Sequence, residues 1–336
     1  MTDAAWAKVR LHVVTGKGGT GKSTVAAALA LALASHGRNV LLCEVEGRQG
    51  IARMFDVDPL PYAERRIATG LPSEDGDQHA GVVHALHIDP ESALLEYLAM
   101  YYKLGRAGRA LDRFGVIEFA TTIAPGVRDV LLTGKVFEAV QRNSRNKGAM
   151  QYDAVVLDAP PTGRISQFLN VSGELAGLAK VGPIKSQSDT MMTLFRSPRT
   201  AVHLVTVLEE MPVQETVDGI SELRSNGLPV GGVVVNRVRP RDIAEADLVA
   251  TRSAGLDKEM VREDLVAAGV EATKTLVDGL AAEARDHAER RALEDAQRAV
   301  VAELDAPAYE LPLLAGGIDL GGLYDLAARL REQGMA

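Results

Sequence analysis

The sequence is short of cysteine, of long apolar runs and of positive charge. Its 336 residues contain one cysteine, Cys43. A single thiol cannot close an internal disulfide, and alone it cannot build a cysteine-based zinc or iron–sulfur site. A reducing, cytoplasmic setting is the expectation. The strongest apolar stretch, Val25 to Ala34, is about ten residues long and mostly alanine, whereas a bilayer span needs about 20. No apolar segment precedes the first β-branched run in MTDAAWAKVR, so no signal peptide is expected. Lys and Arg number 37 against 45 Asp and Glu, a net charge of −8. That balance argues against wrapping nucleic acid or an anionic membrane. The remaining composition, 46% apolar and 24% charged, is that of a globular chain long enough to bury its core without staples.

Strands and helices alternate along the chain. Val9 to Thr15 predicts a buried strand, followed at once by a glycine-rich loop and an alanine- and leucine-rich helix to about Ser35, with Gly37 as its stop. Asn39 to Glu46 predicts the second strand, which completes a βαβ unit and implies a parallel sheet. Further strands are expected at Val82–Ile88, Tyr152–Leu157, Thr200–Val207, Val230–Val238 and Tyr309–Leu314. Leu71 to Gly81 predicts a polar loop. Pro90 to about Asn146 is helical in pattern, with breaks at Gly105, Gly108, Gly115 and Pro125-Gly126. Gln167 to Phe195 is helical again, interrupted near Gly182-Pro183. A helix starts near Pro212, and Leu320 to Arg331 forms the last one. The charged stretch Arg239 to Leu304 ends in a long helix with opposite charges four apart, Asp286/Arg290, Arg291/Asp295 and Glu294/Arg298, the pattern of a solvated face. The expected fold class is α/β, a mostly parallel, doubly wound sheet in one domain over 1–336, with helical insertions at about 90–147 and 167–199 forming a subdomain.

The chemistry concentrates in Gly16-Lys-Gly-Gly-Thr-Gly21-Lys22-Ser23, which matches G-x-x-x-x-G-K-[ST]. The motif counts only between a strand and a helix, and both are expected here. Gly16, Gly18, Gly19, Thr20 and Gly21 would turn backbone N–H groups onto phosphates at a helix N-terminus. Lys22 would bridge the outer phosphates. The Ser23 hydroxyl would ligand Mg²⁺, with Thr24 beside it. Asp158 closes the strand YDAVVLD, where a carboxylate can serve the Mg²⁺ shell; a turn-capping role is the alternative.

Lys17, five residues before Lys22, is not needed to cradle phosphates within one chain. With it, GKGGTGKS resembles the deviant Walker A loop of the class that holds the nitrogenase iron protein, partition and division-site ATPases, and arsenical-pump and tail-anchored-protein-targeting ATPases. In that class the early lysine reaches the partner subunit's nucleotide, and the resemblance gives Lys17 that role, against a plain solvated lysine. Asp158-Ala-Pro160-Pro161-Thr162-Gly163 resembles the D-x-A-P-T-G second switch of the arsenical-pump/targeting subfamily, with Pro160 as the departure. The subfamily's D-P-A-H first switch falls on Glu46-Gly47-Arg48-Gln49, so Glu46 takes the place of the carboxylate that orients the attacking water. The extra methylene of Glu displaces that carboxylate, and about 1 Å of displacement can cost roughly 10²-fold. Glu46 is therefore read as a working variant, with slow hydrolysis, or a plain pairing with an arginine, as alternatives. Asn236, ending Val233-Val-Val-Asn236, matches the asparagine that reads adenine, whose edge suits an amide. Leu311-Pro312-Leu313-Leu314 resembles the loop flanking the base. Pro125-Gly126 and Pro212-Val-Gln-Glu215-Thr216 match weaker segments.

The resemblance implies an ATPase binding ATP/ADP and Mg²⁺, working as a homodimer or a heterodimer with a paralogous ATPase; a protein or membrane-protein client is an option it leaves open. It departs from the family in two respects. No C-x-x-C exists for a zinc staple, and the helical client section is reduced to candidates such as Leu94–Leu104 and Met191–Phe195, which are read first as core, with a groove as the alternative. Competing readings are a partition or division-site ATPase, a relative of the nitrogenase iron protein, which one cysteine does not supply, and a nucleotide-binding scaffold with weak turnover.

Overall fold

The computed structural model describes residues 6–47, 49–72, 80–102, 125–142, 148–170 and 183–336. Eight strands form one sheet in the order β3-β4-β2-β5-β1-β6-β7-β8. They are β1 (Leu11–Gly16), β2 (Asn39–Glu44), β3 (Arg65–Thr69), β4 (Val82–His87), β5 (Ala154–Asp158), β6 (Thr200–Thr206), β7 (Val230–Val238) and β8 (Ala308–Pro312). Every neighbouring pair is parallel except β3 with β4. β1, β5 and β6 are buried along their whole length, as continuous apolar strands covered on both faces should be.

Each face has its own apolar layer. On one, α1 (Lys22–Leu33) and α11 (Leu320–Glu332) pack against Val14, Leu42, Val156 and Val234 through Leu29, Leu33, Leu323 and Leu330. α1 is almost entirely buried, which explains its run of alanines: a helix lying between sheet and α11 has little room for large side chains. On the other face, α4 (Pro125–Gln141), α5 (Thr162–Leu169), α6 (Pro183–Phe195) and α7 (Glu210–Ser225) cover Leu11, Val13, Val155 and Leu157. Met191, Met192 and Phe195 lie inside this layer, so this stretch is core rather than an open groove. Leu94, in α3 (Pro90–Tyr102), is buried there too. The expected breaks at Gly105, Gly108, Gly115 and Gly182 lie outside the described residues, as does most of the Leu71–Gly81 loop.

Four expectations need correction. β2 ends at Glu44, so Glu46 lies in the loop beyond it. The helix expected from Gln167 already starts at Thr162, with Pro161 as its N-cap residue. β3 was not foreseen: Arg65-Arg-Ile-Ala-Thr69 is half polar, yet pairs antiparallel at the sheet edge. The charged stretch folds into α8 (Glu245–Ala254), α9 (Lys258–Ala267) and α10 (Lys274–Ala302), but α10 is not solvated throughout. Arg291 and Glu294 are each 4% exposed. Glu294 takes Arg239 on one oxygen and Arg291 on the other, the latter at 3.3 Å.

A neutral polar pair fills the core between β1 and β6. The Gly232 N–H donates to His203 Nδ1 at 3.0 Å, so the His203 proton sits on Nε2 and is donated to His12 Nδ1 at 3.1 Å. Burial holds both imidazoles below their ordinary value, which keeps this pair uncharged.

Candidate functional site

A parallel sheet brings the carboxyl ends of its strands to one edge, and ligands of open α/β sheets gather there where the strand order reverses. After β1 the chain builds β2 to β5 on one side of it and, from β6 on, the other side. The loop Gly16–Gly21 sits at that division, between β1 and α1. Gly16 has φ 152°, and a Cβ there would overlap the Val205 carbonyl. Gly21, the N-cap of α1, has φ 90°, and a Cβ would strike the Asn236 amide. Both positions therefore require glycine. Gly18 and Gly19 are exposed at the tip. Thr20 is buried and donates its hydroxyl to the Lys17 carbonyl at 2.8 Å, tightening the loop onto itself.

The structure brings together the residues expected on the metal side. Ser23 Oγ donates to Asp158 Oδ2 at 2.5 Å. Thr15 Oγ1 reaches the Pro160 carbonyl at 2.7 Å, so the turn after β5 is tied to the start of the phosphate loop. Asp158 Oδ1 is buried without a hydrogen-bond partner. Burial pushes the Asp158 carboxyl up to about 7; the Ser23 hydrogen bond and Lys22 pull it down, and Glu44 and Glu46 push it up. An orphaned buried carboxylate oxygen beside a serine hydroxyl fits a hard, oxygen-seeking cation. Among the described residues no group of three acid, histidine or cysteine side chains could hold a metal by itself. Mg²⁺ fits this edge better than a metal needing an all-protein cage, because it is held by one or two protein oxygens, waters and substrate phosphates.

Lys22 is buried at the first turn of α1. The Thr24 hydroxyl contacts Met54 Sδ at 3.7 Å, linking α1 to α2 (Gly50–Met54). Asn236 is buried and donates from Nδ2 to the Thr20 carbonyl at 2.9 Å, which joins the end of β7 to the phosphate loop. Pro312 pairs in register with Val238, and the Leu313 N–H donates to the Val238 carbonyl at 2.8 Å. Pro312 and Leu313 thus stand beside the strand end that carries Asn236. Lys17 points elsewhere: its ammonium meets Glu215 of α7 at 2.5 Å within the same chain. Glu46 lines a cavity of about 100 Å³ with Val45, Arg128, Asp129, Leu132 and Arg164. It makes no ion pair there among the described residues.

Sequence reasoning passed over two side chains of this edge. Register places Asp158 of β5, Glu44 of β2 and His87 of β4 side by side in one row. Glu44 is 2% exposed. Its Oε1 accepts from the Gly50 N–H at 2.7 Å, and its Oε2, 3.4 Å from His87 Nδ1, makes no hydrogen bond. The available signal was that two apolar strands, NVLLCE and AVVLD, both end in an acid.

Comparison with known proteins gives the family. Residues 9–198 match the family described as anion-transporting ATPase. ATPase BagA of Mycobacterium tuberculosis is 52% identical over 330 residues, 97% of this chain and 94% of that protein. ATPase get3 of Neurospora crassa is 24% identical over 266 residues, 68% of this chain and 73% of its own. A match over more than half of the chain, joined to a relative of such identity along nearly all of it, makes this chain a member of the anion-transporting ATPase family.

Proposed function

We propose that this protein hydrolyses ATP with Mg²⁺ and works as a dimeric switch, in which nucleotide state governs subunit closure and partner binding. The observation that carries the proposal is the Ser23–Asp158 contact at the head of the phosphate loop, with Asp158 Oδ1 left unbonded. In this reading the loop N–H groups of Gly16, Gly18, Gly19, Thr20 and Gly21 hold the phosphates, and Lys22 neutralises the outer ones. Ser23 and Asp158 hold the Mg²⁺ side, Thr24 borders the phosphates, and Glu46 orients the attacking water. Mg²⁺ held by Ser23 and Asp158 would supply charge neutralisation for the phosphates. Asn236, Pro312 and Leu313 face the base, and Asn236 favours adenine over guanine through its amide. Lys17 exchanges Glu215 for the nucleotide of a second subunit, an identical copy or a paralogue. No helix among the described residues is long and apolar enough to cross a membrane.

Calorimetric titration tests the site. Lys22→Ala removes the main cation on the outer phosphates and is expected to abolish ATP binding; unchanged affinity rejects the site. Sedimentation with ADP and with a non-hydrolysable ATP analogue tests the switch. Lys17→Ala is expected to bind nucleotide yet lose ATP-promoted association. A protein that stays monomeric in every state, even with a paralogue added, removes the dimeric mechanism.

A further inference from the structure

We propose that Glu44 is a positioning residue for the hydrolytic site, holding the loop that carries Glu46 in place beside Asp158; the proposal rests on the ATPase reading above. The loop leaves β2 at Glu44 and re-enters regular structure at Gly50, the first residue of α2. One side-chain bond closes it, from the Gly50 N–H to Glu44 Oε1 at 2.7 Å. Its far end is fixed a second time. Gln49, in the left-handed conformation with φ 52°, donates Nε2 to the Leu60 carbonyl at 3.1 Å and accepts the Leu60 N–H on Oε1 at 2.8 Å. Glu46 thus rides on a segment clamped at both ends.

The clamp sits where it can set a distance. Glu44 and Asp158 are register partners on adjacent parallel strands, whose spacing the sheet fixes at about 4.8 Å. The sheet positions Asp158, and the Glu44 side chain transmits that position to the loop. Burying a carboxylate that has one hydrogen bond and one bare oxygen is costly, and a neutral acceptor would close the same loop at lower cost. A reach of two methylenes is what spans β2 to Gly50. Aspartate, one methylene shorter, falls short of the Gly50 N–H, while glutamine keeps both the reach and the acceptor. His87, beside Oε2 at 3.4 Å, limits where the side chain can swing.

Three variants distinguish a positioning role from a charge role. In Glu44→Ala and Glu44→Asp, kcat for ATP is expected to fall roughly 10²-fold, the scale of an ångström displacement in a reacting geometry. KM and ADP affinity are expected to stay within about twofold, since only the chemical step loses its geometry. Glu44→Gln is expected to keep kcat within about threefold of the parent. Amide exchange at Gly50, read in the ADP state, supplies a measure independent of turnover: protected in the parent and Glu44→Gln, exposed in Glu44→Ala and Glu44→Asp. The reverse order of kcat, with Asp active and Gln inactive, overturns the proposal in favour of charge. Parental kcat in Glu44→Ala, or unchanged Gly50 exchange in every variant, overturns it as well. A parent that binds but never hydrolyses ATP removes the ATPase reading instead, and Gly50 exchange still decides whether Glu44 holds the loop.

Discussion

Two of the charge clusters among the described residues are built on opposite terms. In the cluster on α10 the buried acid is satisfied: Glu294 holds Arg239 and Arg291, Asp295 holds Arg298 at 2.6 Å, and Arg298 also reaches Glu310 of β8 at 2.7 Å. At the carboxyl edge of the sheet the opposite holds. Asp158 Oδ1, Glu44 Oε2 and His87 Nδ1 are all buried without a hydrogen bond, within one row of the sheet. Unbonded buried polar atoms are rare because each costs free energy. The α10 cluster, where Arg298 Nη2 alone is left unbonded, therefore reads as structure, and the edge cluster, with three such atoms, as a place prepared for something else, which the proposed reading takes to be nucleotide and cation.

That contrast fails if the α10 cluster can be cut without consequence. Arg291→Ala strips one of two cations from a buried Glu294; leaving a buried charge with no partner costs about 3 kcal/mol, and with Arg239 still in place the loss is expected to be smaller. Urea unfolding of the nucleotide-free protein is expected to show that loss with little change in ATP affinity. A variant as stable as its parent would place Glu294 in water in solution and dissolve the distinction.

The edge cluster should respond with the opposite sign. Asp158→Asn replaces an unpaired buried carboxylate with a neutral amide and is expected to raise the stability of the nucleotide-free protein by about 1 kcal/mol at pH 8. The gain is pH-dependent. Burial raises the carboxyl from 3.8 to about 7, so the folded protein keeps a proton that the unfolded chain has already released. Wild-type stability therefore falls as pH rises from about 4 to 7, and the advantage of the asparagine variant opens across that window and vanishes below it. With ATP and Mg²⁺ the order is expected to reverse, because in the proposed reading the lost charge serves the cation: turnover is expected to fall while ADP binding survives. Thermal unfolding at several pH values, with and without nucleotide, reads both halves.

The same contrast explains what the sequence disclosed. The phosphate loop, the strand before it and the helix after it are contiguous, so residues 11–33 carry their own meaning. Asp158 is marked by its place at the end of an apolar strand. Glu44 also ends an apolar strand, but the expected strand ran on to Glu46 and hid it, and its register with a strand more than a hundred residues away cannot be read locally. β3 is short, holds two arginines and lies at an edge, so no alternation of apolar residues announces it. Arg291 and Glu294 follow helical spacing that also describes a solvated face; Arg239, arriving from the end of β7, adds the partner that no helix pattern contains. Local chemistry was readable, and properties created by distant neighbours were not.

The smallest effect belongs to a pair between these extremes. Lys17 and Glu215 meet at 2.5 Å, but their side chains are 30% and 38% exposed, and an ion pair so open to water contributes at most about 1 kcal/mol. Glu215→Gln is therefore expected to move the unfolding midpoint hardly at all. Its value lies in what it releases. If Lys17 serves a second subunit's nucleotide, Glu215 holds it at home in the nucleotide-free chain, and each subunit must break that contact before closure. Removing the acid leaves Lys17 free, so ATP-promoted association in Glu215→Gln is expected to equal or exceed that of the parent, whereas Lys17→Ala loses it. Sedimentation of the parent and both variants, at one protein concentration with ADP and with the ATP analogue, gives the comparison directly. Loss of association in both variants alike would mean that the pair acts together in the subunit contact, and that Glu215 is part of the closed state rather than a restraint on reaching it.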